Sequence, residues 1–327
     1  MRKIIYLFFL LLTAVIVFFT IYLSIIGLET SKFNKIIINE IKKKDPSIKL
    51  SLNKIKLKFD VKKIQIYLST IEPQIIYQDI QVPIKEINLY TKLISILKSK
   101  NEINQAIISF ENFAIKDIQQ LAARIKPSNF KTYLLNNVNS GEIEKIFIDV
   151  KFGDNLNINE YKVNGSVKKV NIKISKDLQI KDVSLNFISD KNLTLINSLD
   201  AKYKKILITN GSLNLKRDKQ IEINGKFNTQ FSLNEEEIKK IFIKTNLKFL
   251  EKNKIKTKGS LLHNFSLKMD ENFKLVDYEY KSNGKISEGE IIFKDSLKNN
   301  FLLKPIQMFS LTKTNLTVNL NKKKKIF

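Results

Sequence analysis

The sequence predicts a mainly β protein with a few helices: an N-terminal transmembrane helix followed by an elongated, curved antiparallel β-sheet that forms a groove, or β-taco. Three observations lead to this fold class. An uncharged apolar segment begins the chain, hydrophobic and polar residues alternate over most of the remainder, and the links between alternating segments are short and rich in turn residues. Alternation with a period of two is typical of half-buried strands, and short links favour antiparallel pairing.

The N-terminal apolar segment extends from Ile4 to Ile26 and contains no charged residue. A helix of this length, rising about 1.5 Å per residue, spans roughly 35 Å, enough to cross a hydrocarbon core of about 30 Å. Arg2 and Lys3 precede it, so the positive-inside rule places the N-terminus in the cytoplasm and the bulk of the chain outside. A cleavable signal peptide is the alternative, but its apolar part is normally shorter and Leu23–Gly27 contains no small-x-small site. We therefore expect an uncleaved single-pass anchor.

Helical periodicity in the first half of the chain predicts an α+β arrangement there. In the first of these segments Phe33, Ile37 and Ile41 recur every four residues, and Asp45-Pro46 ends it. One further helix is expected after Asn234, a natural N-cap, because the following acidic residues suit the positive end of a helix dipole. The helices predicted in the first half cover Ser31–Lys44, Tyr90–Lys98, Lys116–Ile125 and Asn129–Asn136.

Strand after strand carries its large hydrophobic residues at every second position, which predicts a sheet with one apolar face. A long sheet with an uncovered apolar face is unstable in water, so it curls on itself, meets a partner or holds an apolar ligand. An ordinary β-sandwich, in which two sheets cover each other, stays open as an alternative. The residues predicted to line a groove are Ile55, Leu57, Phe59, Ile64, Ile66, Leu68, Val183, Leu185 and Phe187.

Four Asn-Gly dipeptides interrupt the alternating segments of the second half, at Asn164, Asn210, Asn224 and Asn283. Asn-Gly is typical of type I′ hairpin turns, in which both central residues have positive φ. At Asn224 the flanking alternation fits a β-bulge equally well. The dipeptides are unevenly spaced, so they do not indicate a strict repeat.

Composition argues against catalysis and cofactor binding. The chain has no cysteine and one histidine, which excludes thiol nucleophiles, iron–sulfur clusters and multi-histidine metal sites. His263 lies in an alternating segment and is interpreted as a satisfied histidine that shares the apolar face. Glu235–Glu237 point in different directions on a helix, so they do not form a metal or acid–base cluster. The sequence contains no phosphate-binding or dinucleotide-binding fingerprint, and we predict a protein that is not an enzyme and holds no cofactor or metal.

The net charge of +25 does not indicate a nucleic-acid partner. All but three of the 57 basic residues are lysine, whereas base recognition favours the planar guanidinium of arginine. The lysines are spread along the whole chain and are interpreted as solvated side chains. We expect no nucleic-acid binding, while attraction to anionic headgroups stays open.

The order of segments resembles the start of the AsmA-like superfamily, which includes YhdP- and TamB-type envelope proteins. In that family an anchor is followed by a short helix, a first hairpin, a strand with an x-Pro-x-Ile core, and then a helix and a further strand. The later Asn-Gly strands are similar to a central domain of YhdP-type chains. The segments that carry the resemblance are Gly27–Thr30, Ile48–Leu52, Ile55–Val61, Ile71–Tyr77, Ile84–Tyr90 and Ile103–Phe113.

The resemblance implies an inner-membrane protein whose periplasmic part carries phospholipid acyl chains along an apolar groove toward the outer membrane. Its expected partners are phospholipid, the inner membrane and other envelope proteins. The implied organisation is an anchor at 1–27, an AsmA-like α+β region at 28–140 and a groove region at 141–327. Family members that bridge the periplasm are longer, so the groove region is expected to be truncated, short or one part of an assembly. The alternative function is a structural or assembly protein that binds another polypeptide through the apolar face.

Overall fold

The computed structural model describes residues 2–32, 34–92, 103–124, 127, 129–153, 157–174, 178–242, 252–271, 274–298, 303–322 and 325–326. These residues belong to two compact units. The first unit comprises Met1–Leu135 and Ile143–Gly165, and the second comprises Asn136–Glu142 and Ser166–Phe327.

Five helices are present among the described residues, and four of the five predicted helical segments are confirmed. The segment predicted at Tyr90–Lys98 is wrong at its start, because Tyr90–Lys92 end a strand; residues 93–98 lie outside the described residues. The helices are α1 (Arg2–Ile25), α2 (Asn34–Lys44), α3 (Ile115–Arg124), α4 (Asn129–Asn137) and α5 (Glu235–Phe242).

Helix α1 is the one helix among the described residues that is long and apolar enough to cross a membrane. Its candidate span is Lys3–Ile25, with a mean hydropathy of 2.9, and it is not buried against the protein. The hydroxyl groups of Thr13 and Thr20 donate hydrogen bonds to the carbonyl oxygens of Phe9 and Ile16 at 2.8 Å. Because a polar group without a partner is costly in hydrocarbon, this pairing suits a lipid environment. The helix is consistent with a single-pass membrane protein.

The strands of the first unit are β1 (Leu28–Thr30), β2 (Ile48–Ser51), β3 (Ile55–Asp60), β4 (Gln65–Ile71), β5 (Gln74–Tyr77), β6 (Ile80–Val82), β7 (Ile84–Lys92) and β8 (Ile103–Ala114). They form an antiparallel sheet with the strand order β1-β3-β4-β7-β8 and a small sheet with the order β2-β5-β6. In the larger sheet, β3 pairs with β4 and β7 pairs with β8. β9 (Val138–Phe152) and β10 (Ile158–Lys173) contribute residues to both units.

The second unit is a meander of long antiparallel strands, each paired with the next in the chain. The turns are tight: Lys204 and Lys205 alone connect the paired residues Tyr203 and Ile206. At another turn, Asp190 Oδ1 accepts hydrogen bonds from the backbone N–H groups of Asn192 and Leu193 at 2.8 Å. The strands are β11 (Gln179–Asp190), β12 (Leu193–Tyr203), β13 (Ile206–Arg217), β14 (Ile221–Leu233), β15 (Lys254–Met269), β16 (Leu275–Leu297), β17 (Ile306–Asn321) and β18 (Lys325–Ile326).

The prediction that the Asn-Gly dipeptides form hairpin turns is wrong, because all four lie inside strands. Asn210 has a positive φ of 52° and forms a bulge in β13, whereas Asn224–Gly225 continue β14 without a register shift. A Cβ atom on Gly225 would lie 2.3 Å from the ring of Phe265 on the neighbouring strand. Glycine is therefore required there to leave room for a cross-strand aromatic ring.

The predicted fold class is confirmed. The chain is mainly β and begins with an apolar helix, and its strands form a long antiparallel sheet that is not closed into a barrel. The capped helix predicted after Asn234 is confirmed too. The Asn234 N–H donates to Glu237 Oε2 at 2.9 Å, and the Glu237 N–H donates to Asn234 Oδ1 at 3.1 Å. This reciprocal capping box starts α5.

Candidate functional site

The strand register of the second unit collects hydrophobic side chains on one face of the sheet. Residues directly opposite each other on antiparallel strands point to the same face. Phe265 in β15 lies opposite Gly225 in β14 and Tyr280 in β16, and Tyr280 lies opposite Leu320 in β17. Around them, the odd-numbered residues 221–233 and 255–269 and the even-numbered residues 278–286 share this face. We call it the apolar face.

The other face of the same strands is polar. Its residues in β14 are Glu222, Asn224, Lys226, Asn228, Gln230 and Ser232. An exposed ion pair between Lys268 and Glu222, 3.4 Å apart, crosses this face. Because nearly every side chain on it carries a hydrogen-bonding or charged group, it is suited to water. The sheet of the second unit is therefore strongly amphipathic.

Three of the predicted lining residues, Val183, Leu185 and Phe187, lie on the apolar face. Phe187 pairs with Ile196 in β12, which pairs with Leu213 on the same face in β13. Val183 is nearly covered, with 4% of its surface exposed, while Leu185 and Phe187 are half-buried. The register thus places these three side chains on one face of the sheet.

In the first unit, Leu57 and Phe59 in β3 lie opposite Leu68 and Ile66 in β4, so these predicted lining residues also share one face. Ile55 lies on that face but is fully buried, and it forms part of the packed interior of the unit. A residue without exposed surface does not contact a ligand unless its neighbours move.

Ile64 does not belong with the other predicted lining residues. It lies in the turn between β3 and β4 with a φ of 52°, and 70% of its surface is exposed. Asp60 Oδ1 accepts hydrogen bonds from the backbone N–H groups of Lys62 and Lys63, which folds the chain back before Ile64. β4 begins only at Gln65. Ile64 therefore precedes the strand, and the predicted alternation of Ile64 with Ile66 and Leu68 does not include it.

β-bulges keep the apolar face continuous where the sequence alternation changes parity. In β13, Ile206 and Ile208 precede the bulge at Asn210, and Leu213 and Leu215 follow it, yet all four point to the same face. Neighbouring strands carry similar bulges at Asp182 and Ser198, both with positive φ. An inserted residue shifts the parity by one and increases local twist. A prediction that assumes strict alternation therefore assigns the residues after a bulge to the wrong face.

Side chains on adjacent strands satisfy the backbone at two of these bulges. The N–H of Asn210 donates to Asp200 Oδ1 at 3.1 Å, and the N–H of Asp182 donates to Asn171 Oδ1 at 3.2 Å. These acceptors replace ladder hydrogen bonds that the bulge interrupts. Two of the bulges are therefore supported by polar side chains on their neighbouring strands.

The apolar face is partly exposed among the described residues of the second unit. Helix α5 contacts β15 and buries Ile238. Most large side chains of the face, including Phe227, Phe231, Phe265 and Leu267, are half-buried. In β17, Phe309 and Leu316 keep 48% and 37% of their surface exposed, so this part of the face can accept apolar atoms from outside.

A group of polar side chains interrupts the apolar face. His263 Nε2 lies 2.8 Å from Thr229 Oγ1, and His263 Nδ1 lies 2.7 Å from the hydroxyl oxygen of Tyr280. The imidazole stacks on Phe227, with ring centroids 4.6 Å apart. Burial lowers the pKa of His263, because an apolar environment disfavours the charged form. The interpretation of His263 as a satisfied histidine on the apolar face is thereby supported by its contacts.

Ser282 lies directly opposite His263 and is 1% exposed. Its hydroxyl oxygen is buried and has no hydrogen-bond partner in the described structure. We call Thr229, His263, Tyr280 and Ser282 the polar cluster. Sequence reasoning identified His263 alone, because the other three residues come together only through the register of three strands.

A second polar group, in the first unit, is structural. Tyr67 and Tyr90 stack with ring centroids 4.8 Å apart, and Lys63 Nζ lies 4.2 Å from the Tyr90 centroid. Lys63 also donates to Gln105, which donates to Asp149 at 2.6 Å. Burial, with a smaller contribution from Tyr67, raises the pKa of Tyr90 to about 12. These groups partner one another on strands of one sheet.

No group of three or more acidic or histidine residues suited to a metal ion occurs within the described ranges. No protein-family model, curated protein or solved structure matches the chain. The apolar face of the second unit, with its polar cluster, is thus the candidate functional site.

Proposed function

We propose that the protein is a single-pass inner-membrane protein that binds phospholipid and carries its acyl chains along the apolar face of its periplasmic part. The observation that carries the proposal is the apolar face itself, which extends over β11–β17 and is exposed at Phe309 and Leu316 of β17. A lipid chain laid on this face removes apolar surface of both partners from water. The gain is about 0.8 kcal/mol for each CH₂ group that is buried.

The N-terminal helix supports a location beside a lipid supply. Helix α1 is long and apolar enough to span a bilayer, and Arg2 and Lys3 at its start favour a cytoplasmic N-terminus. In that orientation the chain that follows α1 lies on the far side of the membrane. A tether of this kind holds the apolar face close to the bilayer from which phospholipid is taken.

Membership of the AsmA-like superfamily is part of the proposal. It is supported by the order of an apolar helix, a short helix and then antiparallel strands, which agrees with the family pattern. The long open meander of β11–β17 is the geometry that a lipid groove needs, because its strands place one residue in two on the same face.

Site-specific photocrosslinking tests the lipid proposal. A photoreactive residue at Leu267, on the apolar face, is expected to form phospholipid adducts in the full-length protein in its native membrane. The matched control is the adjacent Ser266, which points to the polar face of the same strand. Adducts at both positions in equal yield, or at neither, would contradict the proposal. Consecutive residues of a strand point to opposite faces, so a lipid bound to the apolar face should react at Leu267 and not at Ser266.

A second candidate is an envelope assembly protein that binds another polypeptide. Within the described residues, β17 pairs on its outer edge only through Asn319 and Leu320, with β18. The remaining backbone groups along this edge are available to an added strand. Crosslinking from the outer edge at Thr312 would then yield protein adducts, while Leu267 would yield protein rather than lipid.

A further inference from the structure

We infer that the polar cluster is a binding site for the ester carbonyl groups of an acyl lipid, at one fixed level of the apolar face. This inference rests on the proposed lipid binding and adds to it a specific hydrogen-bonding position.

The chain from Thr229 through His263 to Tyr280 always has one hydroxyl hydrogen to spare. A neutral imidazole has one N–H donor and one acceptor nitrogen. If Nε2 carries the hydrogen, it donates to Thr229, Tyr280 donates to Nδ1, and the Thr229 hydroxyl hydrogen is unused. If Nδ1 carries it, the roles reverse and the Tyr280 hydroxyl hydrogen is unused. Either tautomer therefore offers one donor to a ligand.

Ser282 adds a second unused donor on the same face of the sheet. Its hydroxyl oxygen is buried without a partner in the described structure, on the strand that pairs with His263. A buried hydroxyl without a partner is unfavourable, because it has lost its bonds to water. Ser282 is 1% exposed, so a ligand reaches it only when neighbouring side chains of the face move aside and the serine side chain rotates. An acceptor brought in that way would relieve the cost.

The surroundings of the cluster select a neutral acceptor attached to an apolar molecule. The neighbouring residues on the same face of β14–β16 include Phe227, Leu261, Phe265 and Ile286, and the described residues of this face on these strands include no lysine or arginine. An ionised carboxylate would be buried there without a counter-charge, which is costly. The ester carbonyl of a diacyl lipid is neutral and accepts hydrogen bonds, and it is joined to long apolar chains.

The test compares an ester lipid with its ether analogue, which lacks only the carbonyl oxygens. The full-length protein with the photoreactive residue at Leu267 is incubated with an equimolar mixture of dioleoyl phosphatidylglycerol and the corresponding dialkyl ether lipid, and the two adducts are measured by mass spectrometry. We expect the ester adduct to exceed the ether adduct about fivefold, the ratio that one net hydrogen bond gives. Because neutral His263 and Tyr280 still have one hydrogen to spare when Thr229 is removed, the variant must lack every donor of the cluster. The variant Thr229→Val, His263→Phe, Tyr280→Phe, Ser282→Ala should bring the ratio close to one.

The matched control is Ser260→Ala, three residues from His263 on the same strand and on the polar face, which should leave the ratio unchanged. Equal ester and ether adducts in the unaltered cluster would overturn the inference and leave the proposed lipid binding in place. Absence of both adducts would instead refute the proposed function. A competition experiment uses a labelled diester. Oleate should reduce the labelled diester adduct less than the same concentration of unlabelled diester does. A stronger reduction by oleate would overturn the assignment to an ester carbonyl.

Discussion

At the scale of single residues, His263 shows how a polar side chain is accommodated on an apolar face. Both ring nitrogens are within 2.8 Å of a hydroxyl oxygen, and the ring stacks on Phe227. Burial lowers its pKa, because the apolar surroundings disfavour the charged imidazolium. The sequence placed His263 on this face correctly, but Thr229, Tyr280 and Ser282 are separated from it by up to 34 residues and are identified only by strand register.

The lowered pKa of His263 predicts a pH dependence of stability. As the pH falls through about 6.5, the unfolded histidine takes up a proton before the folded one does, so the free energy of unfolding decreases until the lower folded pKa is passed. The groups facing His263 from β14 and β16 are Phe227, Thr229, Tyr280 and Ser282, and none of them is a carboxylic acid, a lysine, an arginine or a second histidine.

Urea unfolding of the full chain at several pH values between about 7 and 5 measures this effect. The wild-type protein should lose more stability over this range than the variant His263→Gln, whose side chain does not titrate. Parallel pH profiles for the two proteins would show that His263 is not buried in the neutral form.

At the scale of strands, glycines and bulges decide how the apolar face is built, and sequence patterns indicate their presence without their roles. Asn-Gly was interpreted as a turn signal, yet Gly225 lies within β14 under the ring of Phe265. Similarly, Asn210 is a bulge that brings Ile208 and Leu213 to one face. Neither role follows from local propensity, because each depends on which strand becomes the neighbour and in what register.

The contact at Gly225 predicts a large effect of a very small substitution. Gly225→Ala places a Cβ atom 2.3 Å from the Phe265 ring and 2.6 Å from Leu213 Cδ2. We expect this overpacking to lower the free energy of unfolding by about 1–3 kcal/mol. Thermal and urea unfolding would measure it. The control Asn224→Ala, on the exposed polar face of the same strand, should change stability by less than about 0.5 kcal/mol, and equal effects of the two substitutions would contradict the packing assigned to Gly225.

At the scale of the whole molecule, the sequence was sufficient for the fold class and for the N-terminal helix, because period and apolar length are local properties. The amphipathic sheet follows from the same alternation, and Leu185 and Phe187 lie on the predicted face. Ile64 and Ile55 show the limit, since one lies in a turn and the other is fully buried. Turn position and interior packing depend on tertiary structure, so alternation does not reveal them.

The central claim is that the apolar face binds phospholipid, and the phospholipid content of the purified full-length protein tests it most directly. The variant Leu185→Glu places a charge on the face, whereas the control Asn186→Glu places it on the opposite side of the same strand. The lipid around α1 is common to all three proteins and cancels in the comparison. We predict that the wild type and the control retain equal amounts of phospholipid per chain and that Leu185→Glu retains clearly less; equal retention by all three, with the variant folded by circular dichroism, would contradict the account.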